Sequence, residues 1–212
     1  FHVNPNATFF MTRAIMNATR PLSVDTGGAI DNREGGVIEI QSTDISYRGE
    51  DKGLRNAGTI VKTTDAEVTW NTDFDDTGVS IEVREGMVIL SLQNDSSFSQ
   101  TEIQISEGAT LTNNGGAFTT QRMGGVNISG GGGYRMDRGN IVVPPGTETT
   151  VDLPQGGLQL GGVNLFVDGD FVNQGLATWT GAFIRRNADQ SGAFINAATG
   201  TVNVVAVMAA RT

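Results

Sequence analysis

Leu54-Arg55-Asn56-Ala57-Gly58-Thr59-Ile60 is one copy of a short phrase that recurs along the chain. The phrase is a bulky apolar residue, a filler, an Asn or Asp, one or two small residues and usually a Gly, followed by a β-rich run. Other copies begin at Ile30, Phe74, Leu111, Phe171 and Phe194. The copies that start at positions 30, 54 and 74 are 24 and 20 residues apart. A repeat in this range indicates stacked units that bury a continuous core.

Short runs of alternating apolar and polar residues fill much of the rest of the chain. They lie at 38–40, 79–83, 90–92, 103–105, 126–128, 151–153, 158–160, 163–165 and 202–204. Alternation predicts strands with one buried face and one wet face. A sandwich or barrel with hairpins at Asn114-Gly115 and Asp168-Gly169 fits such strands, and so does a β-solenoid.

The fixed place of Asn in the repeated phrase favours the solenoid. Identical side chains on successive coils lie about 4.8 Å apart, which lets stacked Asn amides hydrogen-bond along the axis. We therefore predict an all-β parallel β-solenoid with an Asn ladder formed by Asn56, Asn113, Asn173 and Asn196.

The amino-acid composition argues against several classes of partner and of chemical site. The net charge is −9, which argues against nucleic acid because phosphate binding needs clustered Lys and Arg. There is no Cys, so disulfides and thiolate chemistry are excluded. No apolar run reaches the roughly 20 residues of a membrane-spanning helix, so no membrane span is expected. The chain begins at Phe1, as a processed protein or a fragment would.

The chain divides into an atypical N-terminal segment and a repetitive body. Residues 1–27 lack the phrase and are predicted to cap the first coil or to form an inter-subunit arm. Within them, the spacing of Phe9 to Met16 predicts a short amphipathic helix that Pro21 stops. Residues 28–212 are predicted to form about nine coils, with long loops at Gly130–Gly133 and Pro144–Gly146.

The C-terminal stretch Thr201–Ala210 reads as an apolar strand with no charge before Arg211 and no capping helix. Either the chain is part of a longer solenoid, or this end stacks on the N-terminal region of the next subunit. The second arrangement is a head-to-tail contact that does not close and therefore gives a filament. The residues predicted to take part in this self-association are Phe9, Phe10, Met11, Ile15, Met16, Val202, Val204, Val205 and Val207.

Few residues suggest a chemical site. The acidic stretch from Asn71 to Asp76 places neighbouring carboxylates on opposite faces, and the only histidine is His2, so we expect neither an enzyme nor a cofactor. Asp168 and Asp170 are weak candidates for a calcium site, but a simple turn explains them as well.

Several arginines and both tryptophans are candidates for binding carbohydrate. The arginines either contact an acidic glycan or balance nearby acids, and they are Arg122, Arg135, Arg138, Arg185 and Arg186. Trp70 and Trp179 are either sugar-stacking platforms or fillers of the core and corners.

The repeated phrases resemble those of bacterial surface and secreted right-handed parallel β-helices, including adhesins and autotransporter passengers. Leu54–Ile60, Ile105–Leu111, Phe171–Trp179 and Phe194–Val204 carry the resemblance, which covers residues 28–207. It implies a secreted or cell-surface structural and adhesive rod that assembles with copies of itself. The alternatives are a β-helix that binds or cleaves an acidic polysaccharide, and a trimeric phage-fibre segment.

Overall fold

The protein consists of β-strands wound into a parallel β-solenoid, as a computed structural model shows. The structure describes residues 2–3, 8–11, 15–18, 22–24, 29–41, 45–47, 54–71, 74–78, 80–91, 95–116 and 119–205, and only the backbone for residues 2–24, 45–47 and 75–77. These residues form 28 strands. None of them is helical, and hence no helix among them could cross a membrane.

The strands form three sheets, which we name A, B and C. Sheet A contains β1 (His2–Val3), β4 (Leu22–Val24), β7 (Ile45–Tyr47), β10 (Glu67–Asn71), β13 (Met87–Leu90), β16 (Thr110–Asn114), β19 (Gly133–Arg138), β22 (Gly157–Leu160), β25 (Leu176–Trp179) and β28 (Thr201–Val204). Sheet B contains β2 (Thr8–Met11), β5 (Ala29–Asn32), β8 (Leu54–Asn56), β11 (Phe74–Thr77), β14 (Ser96–Ser99), β17 (Thr120–Gly124), β20 (Asn140–Val143), β23 (Asn164–Val167) and β26 (Phe183–Arg185). Sheet C contains β3 (Ile15–Ala18), β6 (Val37–Ile40), β9 (Thr59–Lys62), β12 (Ser80–Val83), β15 (Glu102–Ile105), β18 (Asn127–Ser129), β21 (Glu148–Asp152), β24 (Asp170–Asn173) and β27 (Phe194–Asn196).

Each coil runs through one strand of A, one of B and one of C before the next coil begins. Every strand pairs in parallel with the strand three positions away in the chain, as Ile30 with Leu54 and Leu54 with Phe74 illustrate. Hairpins would pair neighbouring strands in antiparallel fashion, so the sandwich and barrel alternatives are excluded. The predicted parallel β-solenoid is confirmed.

In the strands whose side chains are described, alternate residues point into an apolar interior, where they stack in columns along the axis. One column on sheet A runs Trp70, Leu90, Asn113, Met136, Leu160, Trp179 and Val204. Aromatic rings also stack on each other, with centroids of Phe74 and Phe98 5.4 Å apart and those of Phe171 and Phe194 5.6 Å apart. These columns exclude water from the rod's interior, which is the main source of its stability.

The helix predicted over Phe9 to Met16 is wrong for the described residues of that stretch, which are strands. Thr8–Met11 and Ile15–Ala18 are strands, paired in parallel with β5 and β6. The spacing of Phe9 to Met16 fits a helix face by chance, because two short strands separated by a corner also place apolar residues three and four apart. These first strands continue sheets B and C.

The repeated phrase marks strand ends at all three corners of the coil. Asn32 and Asn56 end strands of sheet B, Asn173 and Asn196 end strands of sheet C, and Asn113 lies near the end of a sheet A strand. Asn32 Nδ2 donates to Asn56 Oδ1 at 2.7 Å, and Asn173 Nδ2 donates to Asn196 Oδ1 at 2.8 Å.

The predicted ladder of Asn56, Asn113, Asn173 and Asn196 is therefore wrong as a single ladder. Two pairs form at two corners, each between consecutive coils, while the Asn113 amide donates to the Gln121 side chain instead. Each of the five amides makes at least one hydrogen bond at its corner, although Asn32 Oδ1, Asn56 Nδ2 and Asn173 Oδ1 are buried without a partner. Stacking of two amides requires that two copies of the phrase occupy the same corner.

The glycine-rich stretch after β18 is a compact corner and not the predicted long loop. Only residues 130–132 separate β18 from β19, and Gly132 N donates to Ile105 O of the preceding coil at 3.0 Å. A Cβ on Gly132 would lie 2.3 Å from Ile105 Cγ2 and 2.4 Å from Ser106 O. The corner is glycine-rich because the two coils approach too closely there for a side chain.

Candidate functional site at the last coil

The final strand of each sheet leaves an open edge among the described residues. These strands are β26, β27 and β28, and no described strand pairs with their outer sides. Thr201 N donates to Gly175 O at 2.8 Å and Val205 N donates to Trp179 O at 2.9 Å, so both point towards the preceding coil. Backbone groups alternate along a parallel strand, which directs the N–H groups of Val202 and Val204 towards the open edge.

The interior columns continue to this edge and become exposed there. Leu160 is fully buried, Trp179 above it is half-buried, and Val204 at the top of the same column is 69% exposed. Val205 is 51% exposed. Covering an inward-facing valine completely contributes roughly 1.5–3 kcal/mol. Within the described residues, this edge therefore has both unpaired donors and uncovered apolar surface.

The predicted association residues divide between the two ends of the rod. Val202, Val204 and Val205 lie at this edge, with Val202 packed against the core cluster. Val207 lies outside the described residues. Phe9, Phe10, Met11, Ile15 and Met16 lie on β2 and β3, the first strands of sheets B and C, where only the backbone is described.

Asp168 and Asp170 lie at the corner between sheets B and C. Asp168 is buried, and its two oxygens accept from Asn187 N at 3.0 Å and Asn187 Nδ2 at 2.7 Å. Asp170 Oδ1 accepts from Ala193 N at 3.0 Å. These bonds hold the loop before β27 against the preceding coil, and a calcium role stays a prediction.

The five candidate arginines do not form one group. Arg135 and Arg138 lie on sheet A, where Arg135 Nη2 is 3.3 Å from Asp137 Oδ2. Arg122 and Arg185 lie on the outer face of sheet B, and Arg186 follows β26. The structure thus brings together Arg122 and Arg185, which are 63 positions apart in the chain.

The tryptophans fill the interior and a corner. Trp70 is fully buried beside Phe74, with ring centroids 5.8 Å apart, and Trp179 Nε1 donates to Ala182 O at 2.7 Å. The filler interpretation is confirmed. The acidic stretch also fits a solvated turn by sequence, but Asp75 and Asp76 belong to strand β11, while Thr72 and Asp73 lie outside the described residues.

A buried lysine was missed by the sequence analysis. Lys62 occupies an inward column between Ile40 and Val83, and its side chain is fully buried. Its Nζ donates to the carbonyl and the hydroxyl of Thr64, the latter at 3.0 Å, and to Glu85 O at 3.3 Å. Desolvation lowers the pKa of Lys62, and the nearby Asp65 and Glu85 carboxylates partly oppose this. The sequence signal was the alternation Ile60-Val61-Lys62, which directs Lys62 inwards with Ile60.

Comparisons of the chain with protein-family models, with curated proteins and with solved structures give no match in any of the three.

Proposed function

We propose that this protein is a structural, non-enzymatic rod outside the cell, which stacks head to tail on further copies of itself to form a filament or matrix fibre. The observation that carries the proposal is the edge at β26, β27 and β28, where three sheets end together with Val204 uncovered. Rigidity along the axis would come from the continuous parallel pairing of the coils. The extracellular location rests on the resemblance of the repeated phrases.

A second copy of the chain fits this edge better than an unrelated partner. The edge consists of three strand edges arranged around one apolar interior, and a partner must supply three strands in the same arrangement. The first coil of another copy supplies β1, β2 and β3, which belong to the same three sheets. Their sequences include Phe9-Phe10-Met11 and Ile15-Met16, whose apolar character suits an uncovered interior.

Such a contact is heterologous because two different surfaces meet. It repeats without closing if the coil axis is nearly straight, and the product is then a fibre. Each junction would add one set of parallel hydrogen bonds to each sheet and cover Val204. The assembled fibre would have fewer open edges than its separate subunits, which also limits unwanted pairing with other proteins.

The test is electron microscopy of the purified protein at several concentrations, with Val204→Pro as the edge variant. Proline removes the Val204 N–H that points to the open edge, and its ring blocks the approach of another strand. The bonds of Thr201 and Val205 to the preceding coil remain, so the fold is retained. We expect fibres for the unmodified protein and single rods for Val204→Pro.

Val204→Thr is the matched control, because it keeps the β-branched shape and the backbone N–H. Its fibres should persist. Uniform single rods of the unmodified protein at every concentration, or fibres of Val204→Pro as abundant as those of the unmodified protein, would rule out stacking through this edge.

A further inference from the structure

The outer face of sheet B has two columns of aligned side chains near the last coil. Arg122, Val142, Phe166 and Arg185 are in register on four successive strands. Two residues earlier on each strand, Thr120, Asn140, Asn164 and Phe183 form the second column. We call these eight residues the sheet B patch.

The arginines of the sheet B patch lack acidic partners. Arg122 and Arg185 are exposed, and neither forms an ion pair within the described part of the chain. Earlier in the same column, by contrast, Arg55 has an acidic residue in register on each side, Asp31 on one strand and Asp75 on the other. Arg122 is instead next to Ser97 and Val142, so the patch presents positive charge on a protein whose net charge is −9.

Several groups of the patch are held in place before any ligand arrives. The Arg185 guanidinium carbon lies 5.3 Å from the centre of the Phe183 ring, which is 60% exposed. Asn164 Nδ2 donates to Asn140 Oδ1 at 3.0 Å, which orients both amides at the surface. Preorganisation of this kind lowers the entropy cost of binding.

A groove of about 340 Å³ runs beside the patch. Arg122, Asn140, Val142 and Phe166 of the patch line it together with Asn187. Asp168 also borders the groove, and both of its carboxylate oxygens accept hydrogen bonds from Asn187. Asp168 therefore fixes the position of Asn187 and does not pair with Arg122 or Arg185. The groove therefore combines a cation, amides and an aromatic ring.

We propose that the sheet B patch binds an acidic polysaccharide whose carboxylates pair with Arg122 and Arg185. The two arginines are three strands apart, about 14 Å at the spacing of neighbouring strands, so the ligand is an extended chain with repeated negative charge. Asn140 and Asn164 offer hydrogen bonds to sugar hydroxyls, and the Phe166 and Phe183 rings offer apolar surface to sugar rings. Two separated cations are too sparse for nucleic acid, which carries a charge at every phosphate.

The patch shares strand β26 with the edge that the proposed function uses, but it lies on the outer face of sheet B and not on the open side of that strand, so the two proposals can fail independently. The test measures binding of a fluorescently labelled galacturonate hexamer by anisotropy, using the edge variant Val204→Pro and the unmodified protein. We expect Arg122→Gln and Arg185→Gln to weaken binding about tenfold each, since each removes a charge-assisted hydrogen bond. Phe183→Ala should weaken it as well, without any change in charge.

Arg84→Gln is the matched control. It makes the same charge change directly after strand β12 of sheet C, where Arg84 Nη2 is 2.8 Å from Glu82 Oε2, and we expect unchanged binding. Equal weakening by Arg84→Gln would mean a general charge effect and would overturn the proposal. So would the absence of binding by the unmodified protein, or equal competition by a hexaglutamate peptide, which would identify an acidic protein segment as the ligand. A neutral galactose hexamer should not compete.

Discussion

At the scale of single residues, Lys62 is the clearest conflict between local chemistry and position. A lysine stands in a column of apolar side chains, fully buried, and its ammonium group is satisfied by Thr64 and Glu85 of adjoining corners. Burial lowers the pKa of Lys62 below 10.5, so the folded state disfavours the charged form. Below the lowered pKa, Lys62 is charged in both states, and the full cost of burying the charge lowers the free energy of unfolding. This cost disappears as the pH rises to 10.5, because the folded protein loses the proton first and the unfolded chain then loses it too. We expect the free energy of unfolding to rise with pH across that window.

Lys62→Met provides the reference for this measurement, because methionine retains most of the volume without the charge. Urea unfolding of both proteins between pH 7 and pH 10.5 should show a rise in the unmodified protein that the variant lacks. Burial also raises the pKa of Tyr134, which acts in the opposite direction above pH 10 but equally in both proteins. A difference between the two proteins that does not change with pH would contradict the titration of Lys62.

At the scale of elements, the corners determine how closely the coils stack. Gly132 lies so near Ile105 and Ser106 of the preceding coil that a Cβ cannot fit without movement of the backbone. Gly132→Ala should therefore lower the free energy of unfolding by about 1–3 kcal/mol, the usual cost of overpacking. Chemical denaturation measures this change directly.

The adjacent Gly133 is a matched control for that experiment. A Cβ there would meet no atom closer than 3.5 Å, which is ordinary contact. Gly133→Ala should be close to neutral, or slightly stabilising because alanine restricts the unfolded chain. Equal losses in both variants would mean that the corner requires backbone freedom and that the close contact is not decisive.

At the scale of the whole molecule, a solenoid is stabilised by contacts between neighbouring coils, and its end coils have only one neighbour. Head-to-tail stacking would give the last coil its second neighbour, with Val204 covered. Assembly then stabilises the folded state by mass action, so the melting temperature should rise with protein concentration, by about 2–4 °C for each 1 kcal/mol gained. Scanning calorimetry over a concentration series measures this shift.

Val204→Pro should melt at the same temperature at every concentration, because its edge cannot accept another strand. Val204→Thr should retain the dependence. A concentration-dependent melting temperature in Val204→Pro would indicate association through a different surface, such as one of the sheet faces.

The sequence was sufficient to predict the all-β class and the repeated strand-and-corner unit of the solenoid. The candidate site was predictable only in part. Alternation in runs such as Ile38-Glu39-Ile40 predicts which side chains face inwards, and burial confirms it for Ile38 and Ile40. The sequence predicted an apolar strand containing Val202 and Val204, and the structure has it as β28, the last described strand of sheet A. The alignment of Arg122 and Arg185 in one outer column, three strands apart, was not predictable, because it depends on the exact lengths of the three coils between them.

The sequence by itself determined that short alternating strands, separated by Asn- and Gly-containing corners at intervals of 20 to 24 residues, stack as a solenoid. This is a local property, since each strand and each corner is specified by residues a few positions apart. Only the tertiary structure decided which corner each phrase occupies, and thus that Asn32 pairs with Asn56 while Asn113 turns to Gln121. It also decided that Arg122 and Arg185 share one outer column and that Val204 ends an inner one. The reason is that the register between coils depends on the summed lengths of all intervening strands and corners, which no single segment specifies.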